Sequence, residues 1–518
     1  MNHNFSQAPQ AMIPRSNFKR SHGYKTTLGD GGYLYPIYCD EALPGDTFNV
    51  KLTSIARLTT PIVPFMDNLF MDFFFFSVPN RLLWDNWKRF MGERDNPDDS
   101  IDYLVPQLSA PVGGFLPGSI EDYLGIPTGV YPLSVNALNH RAYNLIWNEW
   151  FRCQALQDSV PIDKSDGPDT TNYELLKRCK RFDLFTSCLP WPQLGPSVEI
   201  GIGSKADVKY DRIAGEQIQD YNYAGRGTGD WRHGYNSAGG APGAYTDDII
   251  TGTEFNLYAD LANADAATVN QLREAFQLQK LLERDARGGT RYTEKIWSHF
   301  KVSSPDARQQ RPEYLGGGSS PVSVTPIAQT TPTGIVPDVT PQGNLAAYGV
   351  HAQSGVGFTK SFTEHCTIIG FVNIRADITY QKGLAKKHFR RTQYDYYWPA
   401  LAHLGEVPVL NKEIYCDGTA QDDEAFGYNE IWYDYRYFPS MITGLMRSNH
   451  PQSLDYWHLS QDFQNRPGLT PEFIEDNPPL DRVVAVTSED KFQFDGYFDI
   501  TTTRPMPMYS IPGLIDHY

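Results

Sequence analysis

The stretch KKHFRRTQYDYYW places Lys386, Lys387, Arg390 and Arg391, with Lys382 just upstream, beside Tyr394, Tyr396, Tyr397 and Trp398. Cations that neutralise phosphates, set next to rings that stack on bases, are the chemistry of single-stranded nucleic-acid binding without sequence readout. A solvated face or a salt-bridge strip between subunits would use the same composition. A second basic group, Arg15, Lys19, Arg20 and Lys25 with His22 among them, lies in the first 25 residues. A third set has another character. The run YNYAGRGTGDWRHGYNSAGGAPGAY carries Tyr221, Tyr223, Arg226, Trp231, Arg232, Tyr235 and Tyr245 amid glycine, asparagine and alanine. Tyrosine and tryptophan supply contact area there and glycine supplies freedom, as in adaptable recognition loops; the alternative is a plain tolerated insertion.

Chemistry of catalysis finds little support. No GxSxG, GxxxxGK[ST], HExxH or EF-hand pattern occurs. Gly201, Gly203 and Ala206 form a GxGxxA, but the KADVKYDR around and after Ala206 is no dinucleotide-binding helix. The 12 histidines lack ligand spacing. Acidic residues beside aromatics, such as Asp422 to Glu424 near Trp432, or Asp98 and Asp99, are the raw material of a glycosidase. Such an enzyme needs two carboxyls held roughly 5 to 9 Å apart, which nothing in the spacing enforces. A carbohydrate-binding or carbohydrate-active β-sandwich therefore stands as the alternative reading. The six cysteines are scattered without a CxxC pair, so buried free thiols are expected rather than a disulfide scaffold or a zinc ribbon.

The net charge of −16 excludes a chain whose whole surface grips nucleic acid; such contact must come from local patches or from a separate basic partner. With 40% apolar and 20% charged residues the composition is that of a folded protein, and no apolar run approaches the roughly 20 residues that span a bilayer. The start MNHNFSQAPQAMIPRSNF has no apolar secretion core, so folding in a cytoplasm is expected.

The elements that must position these residues read as strands with long excursions. Phe70, Phe74, Phe76 and Val78 fall on one face of an extended run and Met71, Phe73 and Phe75 on the other, interrupted by Asp72 and Ser77. Both faces need cover, from a second layer of the fold or from another copy of the chain, which points toward an assembly. After Pro79, Asn80 is expected to cap a helix bearing Leu83, Trp84, Trp87, Phe90 and Met91. Alternation predicts strands at Phe48 to Leu52 and Ile368 to Gln381. Shorter ones are predicted at Tyr33 to Cys39, Ser197 to Ile202, Phe255 to Tyr258, Ile431 to Phe438, Val483 to Thr487 and Phe492 to Ile500. Helices are predicted after a Ser134 cap, with Leu138, Ala142, Leu145, Ile146, Trp150 and Cys153 in one stripe, and from Ala267 to Arg287. A flexible basic arm is expected over 1–30, an exposed loop over 203–252, and an extended arm or linker from Leu315 to Gly357. Regular βαβ alternation and internal repeats are absent, so the fold class is mainly β.

Read in order, PIYCDEALPGDTF, VPNRLLWDNW, YNLIWNEWFR, TSCLPWPQ, LLERDARGGTRY, QRPEYLGGGS, RADITYQKGL and RPMPMYSIPG resemble segments of the major capsid proteins of microviruses, specifically the gokushovirus branch. They span nearly the whole chain in family order. The resemblance implies a single domain over 1–518, an eight-stranded antiparallel jelly roll with long helix-containing insertions and loops. It implies a homo-oligomeric T=1 shell of sixty subunits around circular single-stranded DNA, built in the host bacterial cytoplasm on an internal scaffolding protein. A small basic internal protein would accompany the DNA, and the 203–252 insertion would form a threefold protrusion that contacts a host surface receptor. No cofactor, catalytic residue or membrane insertion is implied. The insertion itself aligns with nothing in the family, and KKHFRR is unusually basic for its place.

Overall fold

The computed structural model of the chain describes residues 13–198, 207–210, 257–260, 269–331 and 342–509. The chain divides into two compact units, Met1–Leu194 with Glu283–Tyr518, and Gly195–Leu282.

The larger unit is built on two antiparallel sheets. Its strands are β1 (Ser16–Lys19), β2 (His22–Leu28), β3 (Tyr35–Ala42), β4 (Thr47–Leu58), β5 (Leu69–Pro79), β6 (Glu313–Pro321), β7 (Ser323–Ala328), β8 (Leu345–Ser361), β9 (Cys366–Ala376) and β10 (Phe492–Arg504). One sheet has the order β1-β10-β4-β8-β7, with β2 also on β10; the other runs β6-β5-β9-β3. The chain passes from one sheet to the other at β2–β3, β3–β4, β4–β5, β6–β7, β8–β9 and β9–β10. Two antiparallel sheets joined by repeated crossings make the expected sandwich of jelly-roll type, here with ten strands among the described residues where eight were expected. β1 pairs with Thr501–Arg504 and β2 with Phe492–Phe498, so together they line one edge of β10. The basic arm expected over 1–30 is therefore edge strand from Ser16 onward, while 1–12 lie outside the described residues.

Strict alternation builds the first interface. Phe48, Val50, Leu52, Ala56 and Leu58 of β4, and Phe492, Phe494, Phe498 and Ile500 of β10, point inward and pack with Met71, Phe73 and Phe75 of β5 and Ile368, Val372 and Ile374 of β9. Each such Val, Leu, Ile, Met or Phe side chain stabilises the fold by about 1.5–3 kcal/mol relative to exposure. The opposite face of the four-stranded sheet presents Phe76, Val78, Ile369 and Phe371 to Leu138, Ala142, Tyr143 and Ile146 of helix α1 (Leu138–Ile146). Both faces of the oily strand β5 are thus covered within one molecule. The inference that its two-sided apolarity calls for a second copy is corrected: the chain's own insertion is the second cover.

Two insertions hang from this frame. The first, 80–312, carries α1, the helix α2 (Val269–Gly288) and the helix α3 (Tyr292–Phe300); the second is 377–491. In the smaller unit a ribbon pairs Asp207–Tyr210 with Leu257–Asp260. That ribbon replaces the strand expected at Phe255 to Tyr258; of the strand expected at Ser197 to Ile202, residues 197 and 198 are not extended pairs and the rest lie outside the described residues.

Several local expectations change for identifiable reasons. Asn80 caps no helix; it begins a short 3₁₀ turn, and its Oδ1 accepts from Thr367 Oγ1 at 2.9 Å. Ser134 lies in a short strand, and Asn136 takes the capping role, its Oδ1 accepting from the Leu138 amide at 2.8 Å. The described residues between Leu315 and Gly357 are not a linker; 332–341 lie outside the described residues. They contain most of β6, all of β7 and most of β8, and the glycines at 316, 317 and 357 fit close backbone contacts. A Cβ on Gly317 would stand 2.1 Å from the Phe73 carbonyl oxygen, and one on Gly357 would stand 1.9 Å from that of Val50. The strand expected at Val483 to Thr487 reduces to one isolated bridge, Pro61 to Val484, and the long strand from Ile368 ends at Ala376.

Candidate nucleic-acid surface

The second insertion carries the basic and aromatic cluster, and the structure sorts its cations into two kinds. Lys382 donates to the Phe463 carbonyl at 2.6 Å, sits 3.0 Å from an Asp462 carboxylate oxygen and lies over the Tyr415 ring. Lys386 donates to the Tyr433 hydroxyl at 3.3 Å with its ammonium 4.4 Å from that ring's centre. Burial pushes the Lys386 ammonium below its ordinary value and the neighbouring Glu413 carboxyl above its own. Tyr433 donates to Glu413, so lysine, phenol and carboxylate form one buried chain. Arg390 pairs with Asp434, both largely buried, and its guanidinium lies 4.4 Å from the Tyr435 ring centre and 5.4 Å from that of Tyr396. These three cations hold the insertion together. Lys387 and Arg391 differ: both are exposed, Lys387 rests 4.8 Å over Phe438, and Arg391 engages Asp395 through its backbone amide only.

Around these two the rings form an exposed shelf. Tyr394 and Phe438 are 67% and 66% exposed, and Tyr396, Tyr397, Trp398 and Tyr435 are about half exposed. Tyr397 meets Trp432 edge-on at 5.5 Å and Tyr435 at 6.3 Å. The chain presents these rings because short 3₁₀ turns at Gln393–Asp395 and Pro399–Leu401 keep them off any extended ladder. Asp395 caps the first turn by accepting from the Thr392 and Arg391 amides. Tyr435 and Phe438 were missed as members of the shelf because Ile431 to Phe438 read as a strand. It is instead a helical turn, Tyr433–Arg436, entered through Trp432 with φ 66. The signal was present: Trp432, Tyr435 and Phe438 recur every third residue, a helical spacing.

At the other end of the chain, Arg20 forms a two-pronged ion pair with Asp40 at 2.7 and 2.9 Å, and Lys25 lies 3.8 Å from Asp495. Arg15 and Lys19 are exposed. The N-terminal cations lie on or beside the edge strands β1 and β2 of the six-stranded sheet, and the ion pairs of Arg20 and Lys25 are with Asp40 and Asp495, not with the aromatic shelf. Tyr221, Tyr223, Arg226, Trp231, Arg232, Tyr235 and Tyr245 lie outside the described residues. Among the described residues there is no group of three histidine, cysteine or acidic side chains that could hold a metal ion, and no helix long and apolar enough to cross a membrane. Asp422, one of the acids weighed for catalysis, is buried and accepts from Arg466 at 2.7 Å and from the Gly418 amide at 2.8 Å, a structural role.

Charge stands beside rings here without a pair of free carboxyls among the described residues of the shelf, and comparisons with known proteins give the family. The capsid protein (F protein) family of phages matches residues 6–514. Capsid protein VP1 of Bdellovibrio phage phiMH2K is 46% identical over 528 aligned residues, covering 100% of this chain and 98% of that protein. Capsid protein VP1 of Chlamydia phage 1 is 42% identical, covering 99% and 98%, and that of Spiroplasma virus 4 is 38% identical, covering 99% and 97%. Matches of this extent, through both insertions as well as the sandwich, mean that the chain belongs to the phage capsid protein (F protein) family and is a structural protein, the major capsid protein of a microvirus of the gokushovirus type.

Proposed function

We propose that sixty copies of this chain close into a T=1 icosahedral shell around circular single-stranded DNA, and that the aromatic shelf beside Lys387 and Arg391 touches that DNA. The observation that carries the reading is the shelf itself: six large rings at the surface, two of them packed on the ion-paired Arg390, with two exposed cations at their edge. Base–aromatic stacking contributes about 1–3 kcal/mol per base whatever the sequence, which suits a packaged genome. A net charge of −16 leaves most phosphate neutralisation to a small basic internal protein, with Arg15 and Lys19 as further local contributors.

Precursors form in the host bacterial cytoplasm on an internal scaffolding protein, and the 203–252 insertion, with its Tyr and Trp residues, projects at the threefold axes to meet a host surface receptor. Apolar side chains left uncovered by the fold, among them Leu104, Val112 and Leu116, supply area for contact between copies. Lys382, Lys386 and Arg390 belong to the subunit's own scaffold, so the test uses the other pair. Lys387→Gln with Arg391→Gln should leave the melting temperature of the subunit unchanged while lowering packaged DNA and shifting particle disruption to lower salt. Particles with full DNA content and unaltered salt resistance would refute the contact.

A further inference from the structure

The scattered cysteines are not all isolated. Cys153 follows the wide helical turn Trp147–Phe151 that extends α1, and Cys179 lies in the segment that bridges to Glu475. They come together at one glutamine side chain. Gln157 fixes the arrangement, because its Oε1 accepts from the Cys153 amide at 3.0 Å and from Cys179 Sγ at 3.2 Å. Its Nε2 donates to Glu475 at 3.3 Å. Both cysteines are partly exposed, whereas Cys188 and Cys366 are buried.

We infer that Cys153 and Cys179 are a dithiol that closes to an intramolecular disulfide when the protein meets a small-molecule disulfide such as oxidised glutathione. The neighbouring Cys179 thiol, the amides of Ala155 and Leu156 and the positive charge of Arg291 favour the thiolate of Cys153, lowering its pKa. Arg291 is anchored there by bonds from its guanidinium to the Asn148 and Arg152 carbonyls at 2.8 and 3.0 Å. Arg152 adds positive charge and Glu475 negative charge nearby.

In the first step the Cys153 thiolate attacks one sulfur of oxidised glutathione, forming a mixed disulfide and releasing one glutathione thiolate. The neighbouring Cys153 thiolate and then burial hold the Cys179 thiol well above its ordinary range, and the mixed disulfide removes the first of these. Cys179 then gives its proton to the released thiolate, and its sulfur attacks Cys153 Sγ, expelling the second glutathione as thiolate. Two cysteines are oxidised, one disulfide is reduced to two thiols, and the sulfurs contract to about 2.05 Å. The product ties the end of the helical layer to the segment that bridges to Glu475, after departure from a reducing compartment.

The experiment is peptide mapping of the full purified chain after equilibration with oxidised glutathione and alkylation of residual thiols. A peptide linked through Cys153 and Cys179 is expected, with a roughly tenfold loss of alkylatable thiol at both positions, monomer mobility on a non-reducing gel, and only a glutathione adduct at exposed Cys416. Cys179→Ser should accumulate glutathione at Cys153. Free Cys153 and Cys179 under conditions that modify Cys416, or stable separate adducts at both in the native chain, would overturn the inference. The native-chain map decides the matter even where a variant fails to fold.

Discussion

Asp72 interrupts the most apolar strand of the molecule, and its surroundings explain why a carboxylate stands there. Arg375 Nε and Arg178 Nη1 donate to its Oδ2 at 2.6 and 2.7 Å, while their guanidinium groups lie over Phe70 and Phe74. Burial alone would raise its pKa; the hydrogen bonds from Ser319, Arg375 and Arg178 prevail and hold it below the usual carboxylate range. Asp476 is the unsatisfied member of this neighbourhood. It is 2% exposed, its Oδ1 has no hydrogen-bond partner, and burial pushes its carboxyl up to about 7 against the attraction of Arg178, Lys180 and Arg375. The fold therefore keeps the Asp476 proton over a range in which the unfolded chain has lost it. Its contribution to stability is fully present below about pH 4 and is lost as pH rises to about 7, by on the order of 4 kcal/mol. Buried His140, lowered to about 4, works in the opposite sense over pH 4 to 6.5, so only a difference isolates Asp476. Asp476→Asn should exceed the native chain in unfolding midpoint at pH 8, with the gap closing toward pH 4; a gap of constant size would contradict the assignment. None of this burial was legible in the sequence, because Asp72 and Asp476 are 404 positions apart and only the sheet brings their partners together.

At the scale of elements, legibility followed local periodicity. β4 and β10 were read correctly because each buries alternate residues against one neighbour layer. β5 was read correctly as two-sided, and the segment from Leu315 to Gly357 was misread because glycine, proline and threonine composition signals a linker unless tertiary contacts require those residues. There Gly316, Gly317 and Gly357 serve closeness of approach, not looseness. Gly317→Ala places a methyl group against the Phe73 carbonyl on the neighbouring strand, so β6 must leave the sheet or bend. The expected cost is about 1–3 kcal/mol, read as a lowered unfolding midpoint and reduced soluble yield. Alanine at Gly23 of β2, whose Cβ position meets only the Gly496 carbonyl oxygen at 3.9 Å, serves as the comparison. Equal behaviour of the two variants would show that the strand contact is not tight.

For the whole molecule, the phenylalanines that first suggested an assembly are buried inside a single copy, between the sheets and under α1. Shell formation must therefore use other surface, and exposed apolar side chains are available both in the insertions, as at Leu104, Val112, Leu116 and Met441, and on the six-stranded sheet, as at Ile55, Ile327 and Tyr497. The residue motifs that revealed the family run through both insertions, whereas the shelf was only half legible: its cations and first rings lie together in sequence, and its remaining rings arrive from Trp432 to Phe438. An icosahedral reconstruction of purified particles tests the central claim most directly. It should show sixty copies of the sandwich with Tyr394, Tyr396, Trp398, Lys387 and Arg391 on the inner wall against nucleic-acid density. Another copy number, or a shelf on the outer wall or sealed beneath a neighbouring subunit with no nucleic acid against it, would contradict the account.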